Sequence, residues 1–201
     1  MSVVAPKSRI KFTYEDYKSL PVSENKQYEL LDGNIIMVPA PTIYHQRISW
    51  RIEFKLALYV EKTKKGEILH APIDVVLWDE NGCDVVQPDI IFISQDRLDI
   101  IKEEEIKGAP DLVIEILSPA TEKKDRFYKK ALYARHGVRE YWIVDPERKT
   151  IEVYTLTDEG FNLYQEYKIG EVLKSLILEG FELDLKEVFI FQNPPPMAFI
   201  K

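Results

Sequence analysis

Apolar residues recur at helical spacing in one long segment near the start of the chain. Over residues 42–65 they fall every three to four positions, at Ile48, Ile52, Leu56 and Tyr59. This spacing predicts a long amphipathic helix that ends in lysines before Gly66. A short helix is also predicted over 12–20, because Thr13 can cap its first turn and Pro21 stops it.

Strand patterns surround the long helix. Residues 28–38 hold Asp32-Gly33 between two apolar runs, a strong hairpin signal. Four further β-rich runs are expected to be adjacent strands of one sheet: 67–70, 73–78, 85–86 and 89–94. A turn at 79–82 separates the second run from the third. Residues 95–109 are charged and lack a clear period, which indicates a loop or an irregular helix.

The most continuous apolar run covers residues 111–117 and predicts a central strand that is buried on both faces. Thr121 can cap a following helix to about His136, and Gly137 stands where a helix-ending glycine is expected. A strand over 139–144 completes a strand–helix–strand crossover. The sequence therefore predicts a mixed α+β fold, in which helices flank a central mixed sheet with additional β-hairpins.

The C-terminal part reads as smaller β units. Residues 150–167 are expected to form a β-meander at the sheet edge, and 172–191 a further short β extension. The run 193–196, Asn-Pro-Pro-Pro, cannot continue a strand or a helix and is expected along the surface or against a partner. We expect one domain over residues 1–201, with a core over about 12–167 and the extension and tail over 168–201.

Composition supports a single globular domain and limits its partners. The 201 residues are 45% apolar and 30% charged, which suffices for a sizeable core. With 27 basic and 34 acidic side chains the net charge is −7, the wrong sign for coating nucleic acid non-specifically. No apolar run approaches the roughly 20 residues of a membrane span. With no readable secretory signal and only one cysteine, Cys83, a cytoplasmic location is expected.

Two carboxylates lie in apolar strand contexts. Glu115 stands inside the central run, where an unpaired buried carboxylate would be costly, so a compensating partner is expected. The alternative is a structural ion pair or an exposed edge position. Asp89 follows Pro88 at the head of another apolar run and, taken alone, is more often a turn or cap residue. As a pair they suit a hard cation, Mg²⁺ or Mn²⁺, better than zinc.

The helix after the central strand carries the cations. Asp125, Lys129 and Tyr133 follow at intervals of four, so one helix face could point at the carboxylates. The alternative is an ordinary salt bridge on a solvated face. A candidate phosphate-contact patch is formed by five cations within eight residues: Lys123, Lys124, Arg126, Lys129 and Lys130.

Two further residues are weaker candidates. Glu29 is an acid in an apolar strand beside the hairpin turn, and in isolation it reads more often as an edge residue. His45, in the first turn of the long helix, is more often a packed or capping histidine than a base. Phosphate-binding glycine loops, nucleophile elbows and the HExxH zinc motif are all missing from the sequence, and Cys83 has no adjacent histidine.

Taken together, several segments resemble the Uma-type restriction endonucleases, a branch of the PD-(D/E)XK nuclease superfamily. The similarity covers most of the chain. It is carried by residues 28–33, His45, 85–90, 110–119, Asp125 with Lys129 and Tyr133, 137–146, and 178–185.

The resemblance implies a restriction-endonuclease-like core in which Asp89 and Glu115 hold Mg²⁺ or Mn²⁺. Leu117 occupies the usual place of the motif lysine, two residues after the acid. In this family the lysine is moved to the next helix, where Lys129 stands at the matching position. Sequence alone does not establish that Lys129 reaches Glu115.

The remaining candidates receive supporting roles from the same resemblance. Glu29 would be an auxiliary acid, for a second metal or for holding Lys129. His45 and Gln87 would shape the surroundings of the metal, and Asp125 would steady Lys129 rather than bind metal.

The favoured hypothesis is a metal-dependent DNA endonuclease that hydrolyses phosphodiester bonds, with a relocated lysine. A non-catalytic nucleic-acid-binding or assembly module that retains the fold is the main alternative, favoured by the acidic charge and Leu117. A third hypothesis is a metal-dependent hydrolase of another phosphoester, such as RNA or a nucleotide. By analogy with nucleases that cut two strands with two sites, a homodimer is expected.

Overall fold

The computed structural model describes residues 11–21, 27–80 and 82–191. The predicted course of the 193–196 proline run lies outside these residues. Within them the helices are α1 (Tyr14–Lys18), α2 (Ile43–Thr63), α3 (Lys130–Arg135) and α4 (Leu185–Phe189). A 3₁₀ turn spans Gln95–Ile100, and a π-helical turn, Lys124–Lys129, leads directly into α3.

Thirteen strands alternate with these helices in the part of the chain that is described. In order they are β1 (Gln27–Leu31), β2 (Asn34–Val38), β3 (Gly66–His70), β4 (Asp74–Asp79), β5 (Gly82–Val86), β6 (Ile90–Ser94), β7 (Glu105–Lys107), β8 (Leu112–Ile116), β9 (Glu140–Asp145), β10 (Thr150–Thr157), β11 (Gly160–Lys168), β12 (Val172–Lys174) and β13 (Glu182–Asp184).

The central sheet has six strands in the order β11-β10-β9-β8-β6-β3. Strands β8 and β9 are parallel, and the other neighbouring pairs are antiparallel. The chain passes from β8 to β9 through the π-helical turn and α3, which is the predicted crossover. The central mixed sheet flanked by helices is therefore confirmed, with β8 as an inner strand.

A second sheet, of order β2-β1-β5-β4-β7, packs on the central one and corrects one prediction. The four runs expected in a single sheet are divided: β3 and β6 lie in the central sheet, whereas β4 and β5 lie in the second. Both faces of β4 are apolar because Val75 faces the core between the sheets, whereas Val76 packs with Tyr17 of α1. Local patterns located these strands but did not identify their partners.

Alternation along β8 separates two cores. Leu112, Ile114 and Ile116 face α2 and the C-terminal segments, whereas Val113 and Leu117 face the second sheet and α3. Each fully buried residue of this size contributes about 1.5–3 kcal/mol to folding. The period of two places Glu115 on the same side as Val113, between the two sheets.

Two other predictions need smaller corrections. Residues 95–109, expected as a loop or irregular helix, form the 3₁₀ turn and then the short strand β7. The β extension is right for β12 and β13, which pair with each other. It is wrong at Leu185–Phe189, where Asp184 accepts a hydrogen bond from the Lys186 amide (2.8 Å) and caps helix α4. None of the helices over the described ranges is long and apolar enough to cross a membrane.

Candidate active site

The antiparallel register of β6 and β8 brings the two predicted metal ligands together. Ile90 pairs with Ile114, so the next positions outward, Asp89 and Glu115, lie opposite each other. The Ile116 amide donates a hydrogen bond to Asp89 Oδ2 at 2.7 Å. Both side chains belong to the side of the sheet that faces the second sheet. Asp89 is thus tied to the strand that carries Glu115.

Lys129 reaches this pair from the helix. Its Nζ lies 2.8 Å from Glu115 Oε1, 2.7 Å from Glu29 Oε1 and 3.7 Å from Asp125 Oδ1. Leu117, at the usual lysine position, is instead packed in the core between the sheets. The reach that the sequence alone did not establish is therefore present, and an ammonium group stands beside the acid.

Glu29 crosses from the second sheet into the same cluster. Its Oε2 accepts from Lys124 Nζ at 2.5 Å, and its Oε1 accepts from the Gln87 amide at 3.2 Å. Strand β1 lies between β2 and β5, and Glu29 is 1% exposed, so the alternative of an edge residue is wrong. The auxiliary acid and both lysines form one ion-paired group.

The π-helical turn explains how two lysines five residues apart meet one carboxylate. In an α-helix, side chains three and four residues apart are neighbours. A π turn bonds residues five apart, so Lys124 and Lys129 come onto a common side. Asp125 Oδ1 is buried in the same turn without a hydrogen bond, and π turns are frequent at functional sites.

Tyr133 completes the environment of Glu115. Its hydroxyl donates to Glu115 Oε1 at 2.6 Å, so this one oxygen accepts from both Lys129 and Tyr133. The predicted helix face with Asp125, Lys129 and Tyr133 does point at the carboxylates. The sequence placed Tyr133 on that face but gave it no role, and its spacing from Lys129 was the available signal.

His45 approaches the pair from the first turn of α2. Its amide donates to the capping Thr42 hydroxyl at 3.1 Å, which orients the turn. Its Nε2 lies 3.3 Å from Asp89 Oδ2. Burial opposes the charged ring, but the hydrogen bond and the charge of Asp89 outweigh it and raise the pKa of His45. The imidazole is therefore an Asp89 contact as well as part of a capped turn.

Carboxyl groups outnumber lysines in this cluster. Four carboxylates surround two lysines: Glu29, Asp89, Glu115 and Asp125. Burial, opposed by Lys129 and reinforced by the other three acids, raises the pKa of Glu115. Burial alone would discharge Lys129, but the surrounding acids raise its pKa and keep it an ammonium. The crowding of these carboxylates can therefore be relieved by a proton or by a further cation.

Not every predicted residue joins the cluster. Lys123 is exposed, and Lys130 lies over the ring of Tyr154, 3.8 Å from its centroid. Arg126 pairs with Glu152 at 2.7 Å, and with Asp145 and Glu122 at 3.3 and 3.2 Å. The five cations therefore do not form one phosphate-contact surface, because the helix turns them in different directions.

Gln87 contributes through its backbone rather than its side chain. Its amide donates to Glu29, as described above, whereas its side-chain Nε2 donates to Asp74 Oδ1 at 2.8 Å. Asp74 also accepts from the Tyr17 hydroxyl at 2.9 Å. Gln87 therefore links Glu29 to Asp74, which in turn contacts Tyr17 of α1.

A cavity of about 870 Å³ opens above the cluster. Its floor holds the carboxylates and lysines, and its walls come from loops that directly follow strands. These loops contribute mostly apolar residues, including Pro39, Pro41, Pro72, Pro119 and Pro146. The strand-ending prolines were visible in the sequence, but nothing in it indicated that they share one cavity.

The donor set fits a hard divalent cation. In the described ranges no three His, Cys, Asp or Glu side chains form a metal-binding group. Mg²⁺ is commonly held by one or two carboxylates, with water and phosphate oxygens completing its shell, and Asp89 and Glu115 are two carboxylates that could supply such a pair. Asp125 Oδ1 is buried without a hydrogen bond, and its one ion pair within the described part of the chain is that with Lys129 at 3.7 Å.

Comparison with a solved structure agrees with this architecture. A crystal structure from Anabaena variabilis, described as "a putative nuclease belonging to DUF820", matches with a TM-score of 0.72 and 22% identity. The match covers 89% of this chain and 97% of that one. The fold is of the restriction-endonuclease-like class.

Sequence comparison identifies the family within that class. Residues 14–186 match the model of the Uma2 family, described as "Putative restriction endonuclease", and the chain belongs to this family. An uncharacterized protein of Synechocystis sp., slr1290, is 27% identical over 165 residues. That similarity covers 82% of this chain and 84% of the relative.

Proposed function

We propose that the protein is a metal-dependent endonuclease that hydrolyses phosphodiester bonds in DNA. One observation carries the proposal: Lys129 Nζ stands 2.8 Å from Glu115, which lies opposite Asp89. The helix thereby supplies the ammonium group that Leu117 does not. Membership of a family described as restriction endonucleases supports the same activity.

Asp89 and Glu115, with a backbone carbonyl near Ile116, would hold Mg²⁺ or Mn²⁺. When bound, such an ion lowers the pKa of water and stabilises charge on phosphate. The Ile116 amide fixes Asp89, and His45 limits its rotation through the contact at 3.3 Å. Tyr133 holds Glu115 Oε1 in place.

Lys129 orients the attacking water or the phosphate with its ammonium group. Glu29 and Asp125 hold its side chain over the strand and keep it protonated. Lys124, less buried than Lys129, is free to contact phosphate when it leaves Glu29. The homodimer and the cytoplasmic location remain predictions from the sequence.

The test is cleavage of supercoiled plasmid with Mg²⁺ or Mn²⁺, comparing the wild type with Glu115→Ala and Lys129→Ala. The exposed pair of Lys65 and Glu179 offers matched controls, Lys65→Ala and Glu179→Ala, at a site far from the carboxylates. We expect the wild type to nick the plasmid only when the metal is present. Both site variants should nick it about 1000-fold more slowly, because losing a group that stabilises charge in the transition state costs several kcal/mol.

Other outcomes divide the proposal. Loss with Glu115→Ala only would keep the metal site and remove Lys129 from its role. A wild type that neither cleaves any DNA nor binds Mn²⁺ in calorimetry would favour the non-catalytic module instead. Retention of full activity by both site variants would point to a contaminating nuclease.

A further inference from the structure

We infer that the site takes the phosphodiester of an unpaired nucleotide, from a single strand or swung out of a duplex, rather than the backbone of an intact duplex. This inference rests on the proposed function and names its substrate class. The observation behind it is the juxtaposition of a deep, ion-paired floor with a cavity whose walls are mostly apolar.

Depth is the first argument. The side chains that would act lie at the floor, where Glu115 is 4% exposed and Lys129 is 3% exposed. The walls rise around them from four loops, which follow β2, β3, β8 and β9. A duplex carries its phosphates on a wide, stiff cylinder, with a major groove alone about 12 Å across. We therefore expect such a backbone to meet the mouth of the cavity rather than its floor.

Size is the second argument. A volume of about 870 Å³ lies within the roughly 300–1,000 Å³ of cavities that enclose a single small-molecule-sized ligand. One or two nucleotides are ligands of that size. We therefore expect an unpaired nucleotide to enter with its phosphate lowest and paired strands to stay outside. Enzymes that act on single nucleotides within a duplex reach them in this way, by extruding them from the stack.

The chemistry of the walls is the third argument. The five prolines and Tyr44 present apolar surface, which suits the faces of a base and a sugar. Binding to a duplex backbone depends instead on several cations that neutralise successive phosphates. Only Lys124, Lys129 and Lys149 line this cavity among lysines and arginines of the described ranges, and Glu29 already pairs with the first two.

Proline also makes the walls rigid. Each proline has a fixed φ and no backbone donor, so the loops that end the strands lose little freedom when a ligand enters. A preformed apolar slot of this kind binds a nucleotide without first ordering its own walls. The cavity is thus built before the substrate arrives.

The test compares substrates of one sequence: a single-stranded DNA, its perfect duplex, the same duplex with a central unpaired bulge, and the matching RNA strand. Cleavage is followed with Mn²⁺, and binding is followed by fluorescence anisotropy with the Glu115→Gln variant. We expect the single strand and the bulge to be cut at least about tenfold faster than the duplex. Comparing the RNA strand with the DNA strand shows which of the two single-stranded nucleic acids the site takes.

A cavity-filling variant tests the walls themselves. Ala40 and Ala120 are exposed residues of the lining, so Ala40→Leu with Ala120→Leu narrows the slot without disturbing a core. We expect at least about tenfold weaker binding of the single strand, with Mn²⁺ binding unchanged in calorimetry. Ala131→Leu, an exposed alanine on α3 outside this cavity, is the matched control and should bind as the parent does.

The outcomes separate the two proposals. Cleavage of the perfect duplex as fast as the single strand would overturn this inference and leave the nuclease function standing. If no substrate is cleaved, the nuclease function fails and binding decides the inference alone. Tighter binding of the single strand would then support it, and equal or tighter binding of the duplex would overturn it.

Discussion

Two buried carboxylates, four residues apart, stand at opposite ends of one strand and behave differently. Asp111 precedes β8 and is fully buried, and donors occupy both of its oxygens. Oδ2 accepts from the Ser94 amide and hydroxyl, both at 2.9 Å, and Oδ1 accepts from Arg97 at 2.9 Å. Burial works against its charge, but these donors outweigh burial and lower the pKa of Asp111.

Glu115 has the opposite balance. Lys129 and Tyr133 both donate to Oε1, and three other carboxylates crowd the same space. A cavity opens above it, whereas Asp111 lies among its partners. Burial of an acid in an apolar strand is therefore a weak sign of function by itself. What marks Glu115 is the crowding of several carboxyl groups beside an open volume.

The first prediction tests the structural end of β8 and has the largest expected effect. Asp111→Ala should lower the free energy of unfolding by about 3–5 kcal/mol, because it leaves the Arg97 charge and the Ser94 donors without their acceptor. Glu115→Gln, which relieves carboxylate crowding, should change it by less than about 1 kcal/mol. Urea denaturation measures both.

Two controls sharpen that contrast. Glu182→Gln removes an exposed partner of Lys174 and should cost about 0–1 kcal/mol. Because folding lowers the pKa of Asp111, its carboxylate stabilises the fold at pH values above 3.8, the ordinary pKa of an aspartate. This stabilisation is lost as the pH falls through the pKa that Asp111 has in the folded state. The gap between the wild type and Asp111→Ala should therefore shrink below about pH 4. A gap as large at pH 3 as at pH 7 would contradict this assignment.

The second prediction concerns the cation. Mn²⁺ at about 100 times its dissociation constant should raise the free energy of unfolding by about 2.7 kcal/mol, because it binds only the folded chain. Asp111→Ala, at the other end of the strand, should gain the same increment. Glu115→Gln should gain much less. Equal stabilisation of Glu115→Gln in thermal unfolding would place the cation elsewhere.

The third prediction has the smallest expected effect. Tyr133→Phe deletes the hydroxyl that donates to Glu115, and a hydrogen bond to a charged group is worth about 1.5–3 kcal/mol. Plasmid cleavage should therefore slow by about 10- to 150-fold. Tyr154→Phe is the control, since its hydroxyl donates to Glu152, away from the cavity. Equal rates for the two variants would remove Tyr133 from the site.

Local patterns predicted the elements well. At the hairpin, Asp32 and Gly33 both have positive φ, 46° and 68°, as a two-residue turn between twisted strands requires. The division of strands between two sheets could not be predicted in this way. Whether Val75 and Val85 join the central sheet depends on partners far along the chain, and apolar alternation does not identify partners.

The candidate site was predicted in its residues but not in its geometry. The apolar context of Glu115 and the spacing of Lys129 and Tyr133 are sequence signals, and the structure brings these side chains together. The contact of Lys124 with Glu29 was not predictable, because it depends on a π turn that α-helical spacing does not include. The dispersal of Arg126 and Lys130 has the same origin.

That π turn also makes chain length a variable of the site. A π turn bonds residues five apart where an α-helix bonds residues four apart, so removing one residue from the turn would convert it to α-helix and leave the segments on either side in place. Phe127, 73% exposed, is the residue whose loss would disturb the core least. Its deletion would leave Lys124 and Lys129 four residues apart, a spacing at which side chains are neighbours in an ordinary α-helix, so both lysines would keep a common side. The chain can therefore lose one residue at this turn, in evolution or in design, without separating the two lysines.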